Sequence, residues 1–141
     1  MRRHDDFMTS FYSVETKIIA LPQIVDARGN LTFLQNGIGC PFNIKRAFWT
    51  FNVPGGSVRG GYAYKTQQEL IVAINGAFDV IVCAAEGSES RYRLDRGNVG
   101  LFLPSGTWRR MEAFSINGIG LHLMSGAFDA EDYIREQTSV Q

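Results

Sequence analysis

A chain of 141 residues with 45% hydrophobic content can bury the core of one domain and leaves little material for a second. Its 14 basic and 14 acidic side chains cancel, so no chain-wide positive field exists to hold a nucleic acid or an anionic membrane surface. No stretch approaches the roughly eighteen apolar residues of a spanning helix, and the opening MRRHDDFMTSF lacks the apolar run of a secretory signal.

The expectation is therefore a soluble, unprocessed, cytoplasmic protein. Cys40 and Cys83 stand far apart with no Cys-x-x-Cys pair and no second His/Cys cluster, which favours free thiols over a disulfide framework or a zinc knuckle. Residues 1–12 read as a flexible N-terminus and 13–137 as a single domain.

In chain order, short β-branched or aromatic segments predict strands at 14–20, 31–35, 44–53, 61–65, 69–74, 78–83, 90–94, 99–103 and 119–124. Between them lie ARGN, VPGGS, EGS, DRGN, PSG and INGIG, all rich in turn formers. Asn75-Gly76, set between two apolar runs, predicts a β-hairpin with a type I′ turn. Only the tail, DAEDYIREQ at 129–137, reads as a helix, with Asp129 as N-cap and acidic residues in its first turn. Many short strands and almost no helix indicate an all-β fold, an antiparallel sandwich or barrel of jelly-roll type, whose open mouth is the natural place for a small-molecule site.

The chemistry concentrates in VRGGYAYKTQQELIVAING. The period of two in GYAYK puts Tyr62 and Tyr64 on one face, so the two phenols project together. They admit three readings: proton transfer, ligand contact, or packing. His122 lies in the apolar run GLHLM, where a hydrogen-bonded core histidine is the plain reading and a substitute base the sharper one. Arg46, Arg59 and Arg109 read either as surface charges or as planar forks for a diphosphate or a developing oxyanion. Glu69 is either a solvated strand residue or an internal partner of one of these arginines.

Tyr62-x-Tyr64, then Glu69, then Gly76, followed by Pro104-x-Gly106-x-x-Arg109, has the spacing of the two cupin motifs, and the sequence resembles the cupin superfamily. Two histidine positions of the first motif hold tyrosine and that of the second holds arginine, which has no lone pair to donate to a metal. The segments DARGNL, PFNIKRAF, RGGYAYKTQQELIVAINGAFDVIV, VGLFLPSGTWRRM and DAEDYIR are similar to those of the metal-free branch of that superfamily, the nucleotide-sugar 3,4-ketoisomerases acting on dTDP-4-keto-6-deoxyglucose. That resemblance implies a cupin double-stranded β-helix with a short C-terminal helix, a dTDP-linked sugar as partner, no metal or organic cofactor, and a homodimer. It implies substrate contacts from Arg28, Arg46, Arg59, Glu69, Trp108 and Arg109, and proton transfer by Tyr62, Tyr64 or His122.

In that family a His-Ala-His stands where this chain has Tyr62-Ala63-Tyr64, and one histidine is taken as the base. A phenol of pKa about 10 is a poor base at neutral pH unless an adjacent cation favours the phenolate, a task open to Arg46, Arg59 or Arg109. Two further readings stand beside the isomerase: a binding protein that kept the pocket after losing catalysis, and a 3,5-epimerase-like sugar enzyme.

Overall fold

A computed structural model of the protein describes residues 15–135; the segment expected to be a flexible N-terminus lies outside the described residues. The strands are β1 (Lys17–Ala20), β2 (Gln23–Ile24), β3 (Leu31–Thr32), β4 (Gln35–Asn36), β5 (Gly39–Cys40), β6 (Arg46–Thr50), β7 (Arg59–Tyr64), β8 (Glu69–Asn75), β9 (Phe78–Cys83), β10 (Glu89–Leu94), β11 (Val99–Leu103), β12 (Trp108–Glu112), β13 (Ile119–Met124) and β14 (Tyr133–Ile134). Ten of them form two five-stranded sheets, ordered β1-β11-β8-β13-β6 and β10-β9-β12-β7-β14, the jelly-roll arrangement expected from the strand spacing. Among the described residues no helix is long and apolar enough to cross a membrane.

The two sheets bury different amounts of side chain, and the sequence shows why. β8 sits at the centre of its sheet, with Ile71 and Ala73 in the cluster formed with Phe78, Val80, Leu94, Leu101, Leu103 and Met111. Its alternate residues, Leu70 and Val72, join Leu21, Cys40, Phe102 and Leu123 in a second cluster, against which Leu34, Phe42 and Ile44 pack. Covered on both faces, this strand is an unbroken apolar run instead of an alternating one. On β10, β9 and β12 the solvent face is instead a lattice of ion pairs, Arg91 and Arg93 on Asp79, Arg91 and Arg110 on Glu112, and Arg110 on Glu89.

Three expectations need correction. The Asn75-Gly76 turn joins no hairpin, because β8 pairs with β11 and β13 while β9 pairs with β10 and β12 in the opposite sheet. Gly76 has the positive φ of +62°, but Asn75 does not share it. The turn carries the chain from one sheet to the other, tied by Ser115, whose Oγ accepts from the Ala77 amide.

The second correction is β12, which no apolar pattern announced: WRRME alternates half-buried Trp108, Arg110 and Glu112 with buried Arg109 and Met111, and its inward face carries a charge. The third is the tail. Of the helix expected over 129–137, residues 136 and 137 lie outside the described residues, and the rest holds a single 3-10 turn at Ala130–Asp132, capped as anticipated by Asp129, whose side chain accepts from the Glu131 amide. The chain then leaves the helical path because Tyr133 and Ile134 pair with Tyr64 and Ala63 of β7. Asp132 fixes this switch: buried, it accepts from the Thr66 amide and hydroxyl at 3.0 and 2.8 Å and from the Gln67 amide at 3.2 Å.

Candidate active site

β7, β6 and the tail strand β14 meet at one end of the barrel, where a cleft of about 400 Å³ is lined by Arg46, Phe48, Val58, Arg59, Gly60, Tyr62, Tyr133 and Arg135. Tyr62 and Tyr64 project together from β7 as the alternation demanded, their rings 5.3 Å apart and edge to face. Tyr133 completes a cluster of three, with ring centroids 5.1 Å from Tyr62 and 4.8 Å from Tyr64. Tyr62 and Tyr133 form part of the cleft wall, while Tyr64 is fully buried behind them and donates its hydroxyl proton to the Tyr133 oxygen at 3.4 Å.

Behind the phenols lies a buried ionic chain. Arg109 and Glu69 are both fully buried and share an ion pair. The second Glu69 oxygen meets His122 Nδ1 at 2.5 Å, and His122 Nε2 meets Thr50 Oγ1 at 3.3 Å. His122 is stacked on Phe48, 4.4 Å between centroids, and both its ring nitrogens are engaged. It is thus the hydrogen-bonded core histidine of the plain reading, held behind the cleft wall. Burial works to raise the Glu69 pKa, but the charges of Arg109 and His122 and their hydrogen bonds outweigh it and hold the carboxyl below its ordinary range.

Arg109 also lies over both β7 phenols, its guanidinium carbon 5.6 Å from the Tyr62 ring centre and 5.2 Å from that of Tyr64. The expectation that an arginine here would favour phenolate is nonetheless not met. Burial pushes both phenols up, the Glu69 charge pushes them further, and for Tyr62 the lowering effect of Arg109 is the smaller one. Glu69 spends most of the charge that Arg109 brings. Both tyrosines are therefore neutral donors at neutral pH.

The remaining cations stand at the rim. Arg46 lies over Phe48 and Phe128 and donates to Gln67 Oε1 at 3.4 Å; its Nε is buried without a hydrogen-bond partner among the described residues. Arg59 is exposed on the cleft wall. Arg135 covers Tyr133 at 4.8 Å and Tyr62 at 5.6 Å. Among the described residues none of these three arginines forms an ion pair with a carboxylate, in contrast to Arg91, Arg93 and Arg110.

The fold thus brings together Tyr62, Tyr64, Arg46, Arg59 and Arg109, with Glu69 and His122 one layer deeper. It leaves two expected contacts elsewhere. Arg28 is 90% exposed and paired with Asp26 in the turn before β3, and that pairing lowers the Asp26 pKa to about 2. Trp108 occupies the face of β12 opposite Arg109, beside Gly61. Tyr133 and Arg135 escaped the sequence reading because a helix was assigned to them; their spacing of two, which on a strand places both on one side, was the available signal.

Five of the eight wall residues are cationic or phenolic side chains, Arg46, Arg59 and Arg135 with Tyr62 and Tyr133, and the cleft has the size and charge for an anionic small molecule. A TDP-4-oxo-6-deoxy-alpha-D-glucose-3,4-oxoisomerase from Aneurinibacillus thermoaerophilus is 32% identical over 123 residues, covering 87% of this chain and 88% of the relative. The structure is similar to that of QdtA, a sugar 3,4-ketoisomerase from Thermoanaerobacterium thermosaccharolyticum in complex with TDP. That superposition has a TM-score of 0.84 and 28% identity over 87% of this chain and 89% of the other. The WlaRB TDP-quinovose 3,4-ketoisomerase from Campylobacter jejuni gives a TM-score of 0.84 and 31% identity over 90% and 97% of the two chains. The family model described as FdtA: WxcM-like, C-terminal spans residues 14–140, which takes in both sheets, the tyrosine cluster and the tail strand, and the chain belongs to that family.

Proposed function

We infer that the protein is a nucleotide-sugar 3,4-ketoisomerase, moving the carbonyl of a dTDP-linked 4-keto-6-deoxyhexose from C4 to C3. The observation that carries this reading is a cleft whose wall combines phenols with three arginines that have no carboxylate partner among the described residues, in a chain of the FdtA family. Two of the arginines suffice to meet a diphosphate, and a third is left for the oxygen that becomes negative as the enediolate forms. The four cupin ligand positions cannot hold a divalent ion in the usual way, since one is a guanidinium and Glu69 is already committed to Arg109 and His122. Proton transfer falls to side chains.

Of the candidate bases, Tyr62 alone lies on the wall; Tyr64 and His122 are screened behind it. Tyr62 is assigned the C3 proton: as phenolate it removes the proton and, once reprotonated, returns it to C4. The Arg109 and Arg135 guanidiniums over its ring favour that phenolate.

The test is to incubate the purified protein with dTDP-4-keto-6-deoxyglucose in D2O and follow the C3 and C4 proton signals by NMR. Loss of the C3 signal and appearance of a 3-keto product, both abolished in Tyr62→Phe, support the assignment. No exchange over hours, with TDP still raising the melting temperature, would refute catalysis and leave a binding protein.

A further inference from the structure

Moving a ketone between adjacent carbons needs two kinds of proton transfer. One proton passes from C3 to C4; another must leave the C3 oxygen while the C4 oxygen gains one. A single group occupied with the carbon-bound proton cannot serve the oxygens at the same moment. Among the described residues the cleft wall contains no histidine, carboxylate, lysine or cysteine, and its proton-bearing phenols are Tyr62 and Tyr133. Tyr133 therefore stands where a second proton carrier is needed.

We propose that Tyr133 is a further catalytic residue, the group that exchanges protons with the two sugar oxygens; the proposal rests on the isomerase reading above. Tyr62 phenolate takes the C3 proton, the C–H electron pair forms the C3–C4 double bond, and the carbonyl π pair moves onto the C4 oxygen, which receives the Tyr133 hydroxyl proton. The Tyr133 phenolate so formed then accepts the proton of the C3 hydroxyl. Its O–H pair becomes the C3 carbonyl, and the double-bond pair takes the proton back from Tyr62 at C4. Both tyrosines end as they began, and no electron or atom is left over.

Three features of the site fit this role. Tyr64 donates to the Tyr133 oxygen, and its own pKa, pushed up by burial and by Glu69, keeps it a donor while Tyr133 is a phenolate. Arg135 lies 4.8 Å from the Tyr133 ring centre, placing a positive charge beside the transient anion. The Asp132 carboxylate accepts hydrogen bonds from Thr66 and Gln67, two and three residues beyond Tyr64, which holds β14 against β7 and so holds the two wall phenols at one spacing.

The experiment compares Tyr133→Phe with Tyr62→Phe and the parent protein in D2O, reading both solvent exchange at C3 of the recovered 4-keto substrate and formation of the 3-keto product, with the TDP-induced rise in melting temperature as a check on the pocket. A general acid–base group contributes about 10²- to 10⁴-fold. Tyr133→Phe is expected to lower product formation at least about 100-fold with the TDP shift unchanged, and to lower C3 exchange less. A longer-lived enediolate gives the Tyr62 hydroxyl time to swap its proton with solvent, so the ratio of exchange to isomerisation rises. Tyr62→Phe is expected to lose both together.

Turnover of Tyr133→Phe near the parent rate would overturn the assignment. So would an equal fall in exchange and isomerisation: with the TDP shift intact it would make Tyr133 a positioning residue for Tyr62, and with the shift lost, a packing residue. A parent protein that neither exchanges nor isomerises removes the isomerase reading itself, and this inference with it.

Discussion

Removing Arg109 tests the buried ionic chain on which the site is built. Arg109 and Glu69 are both fully buried, and Arg109→Met replaces the guanidinium with an apolar chain of similar length while leaving Glu69 without its ion-pair partner. Breaking a buried pair from one side costs about 3–5 kcal/mol, because the surviving charge stays desolvated. At roughly 3–4 °C per kcal/mol for a domain of this size, the melting temperature should fall by about 10–15 °C.

The pH dependence supplies the sharper check. In the parent protein the folded Glu69 carboxyl titrates below its unfolded value of 4.5, so the pair contributes its full stability above that value and loses it as the pH falls through the folded pKa. Without Arg109, burial dominates and raises the Glu69 pKa above the unfolded value. The variant should then be least stable at alkaline pH and should recover as the pH drops toward 5. Urea unfolding at pH 5 and pH 8 measures both, and Glu69→Leu combined with Arg109→Met should regain most of the loss, since an apolar pair leaves no buried charge. A loss under about 1 kcal/mol, or one equal at the two pH values, would refute the electrostatic reasoning.

Because burial raises the Tyr62 pKa and the base must be deprotonated, kcat of the parent protein should climb about tenfold per pH unit across the neutral range, and Tyr62→His, with an imidazole near 6.5, should flatten that climb above pH 7; a parent profile already flat from pH 6 to 9 excludes a phenol as base. Arg59→Ala removes an exposed rim cation and should leave the melting temperature within about 1 °C while weakening TDP binding about 10- to 100-fold, the worth of one charge-assisted contact; isothermal titration decides it, and unchanged affinity would take Arg59 out of the diphosphate site. Asp132→Ala deletes three hydrogen bonds that clamp the tail and should cost roughly 3 kcal/mol in urea unfolding while raising KM, since Tyr133 and Arg135 follow directly; a stability loss with KM unchanged would detach the tail from the site.

How much of this was legible depended on what each segment hides from water. β8 and β11 were readable as apolar runs because both of their faces are largely covered. The common face of Tyr62 and Tyr64 followed from the period of two alone. β12 was not readable, since its inward positions include an arginine whose burial depends on Glu69, forty residues away in sequence and in the opposite sheet. The tail was misread because DAEDYIREQ carries a sound helix start, and what stops it after one turn is a carboxylate bonded to Thr66 and Gln67, a tertiary contact with no local signature. The direction of the tyrosine shifts was missed for a similar reason: arginines could be counted in the sequence, but which of them Glu69 neutralises could not.

That neutralisation explains how the site divides its charges. The four positions of the cupin ligand motif do converge: Arg109 lies 5.2 to 5.6 Å from the rings of Tyr64 and Tyr62 and is paired with Glu69. Where a metal would leave two positive charges to act on ligand and substrate, the guanidinium brings one, and Glu69 cancels most of it at contact distance. Placed there, it fixes the β7 phenols and the inner strands but cannot by itself support an enediolate in the cleft. Positive charge for that purpose has to enter from the rim, where Arg46, Arg59 and Arg135 have no carboxylate partner among the described residues. On the assignment of Tyr62 as the base, burial and Glu69 keep it protonated, and the rim arginines, gathered by a bound diphosphate, have to act with Arg109 to offset them. Isomerisation should therefore depend on the diphosphate end of the substrate for kcat as well as for KM, and a sugar 1-phosphate lacking the nucleoside should lose both.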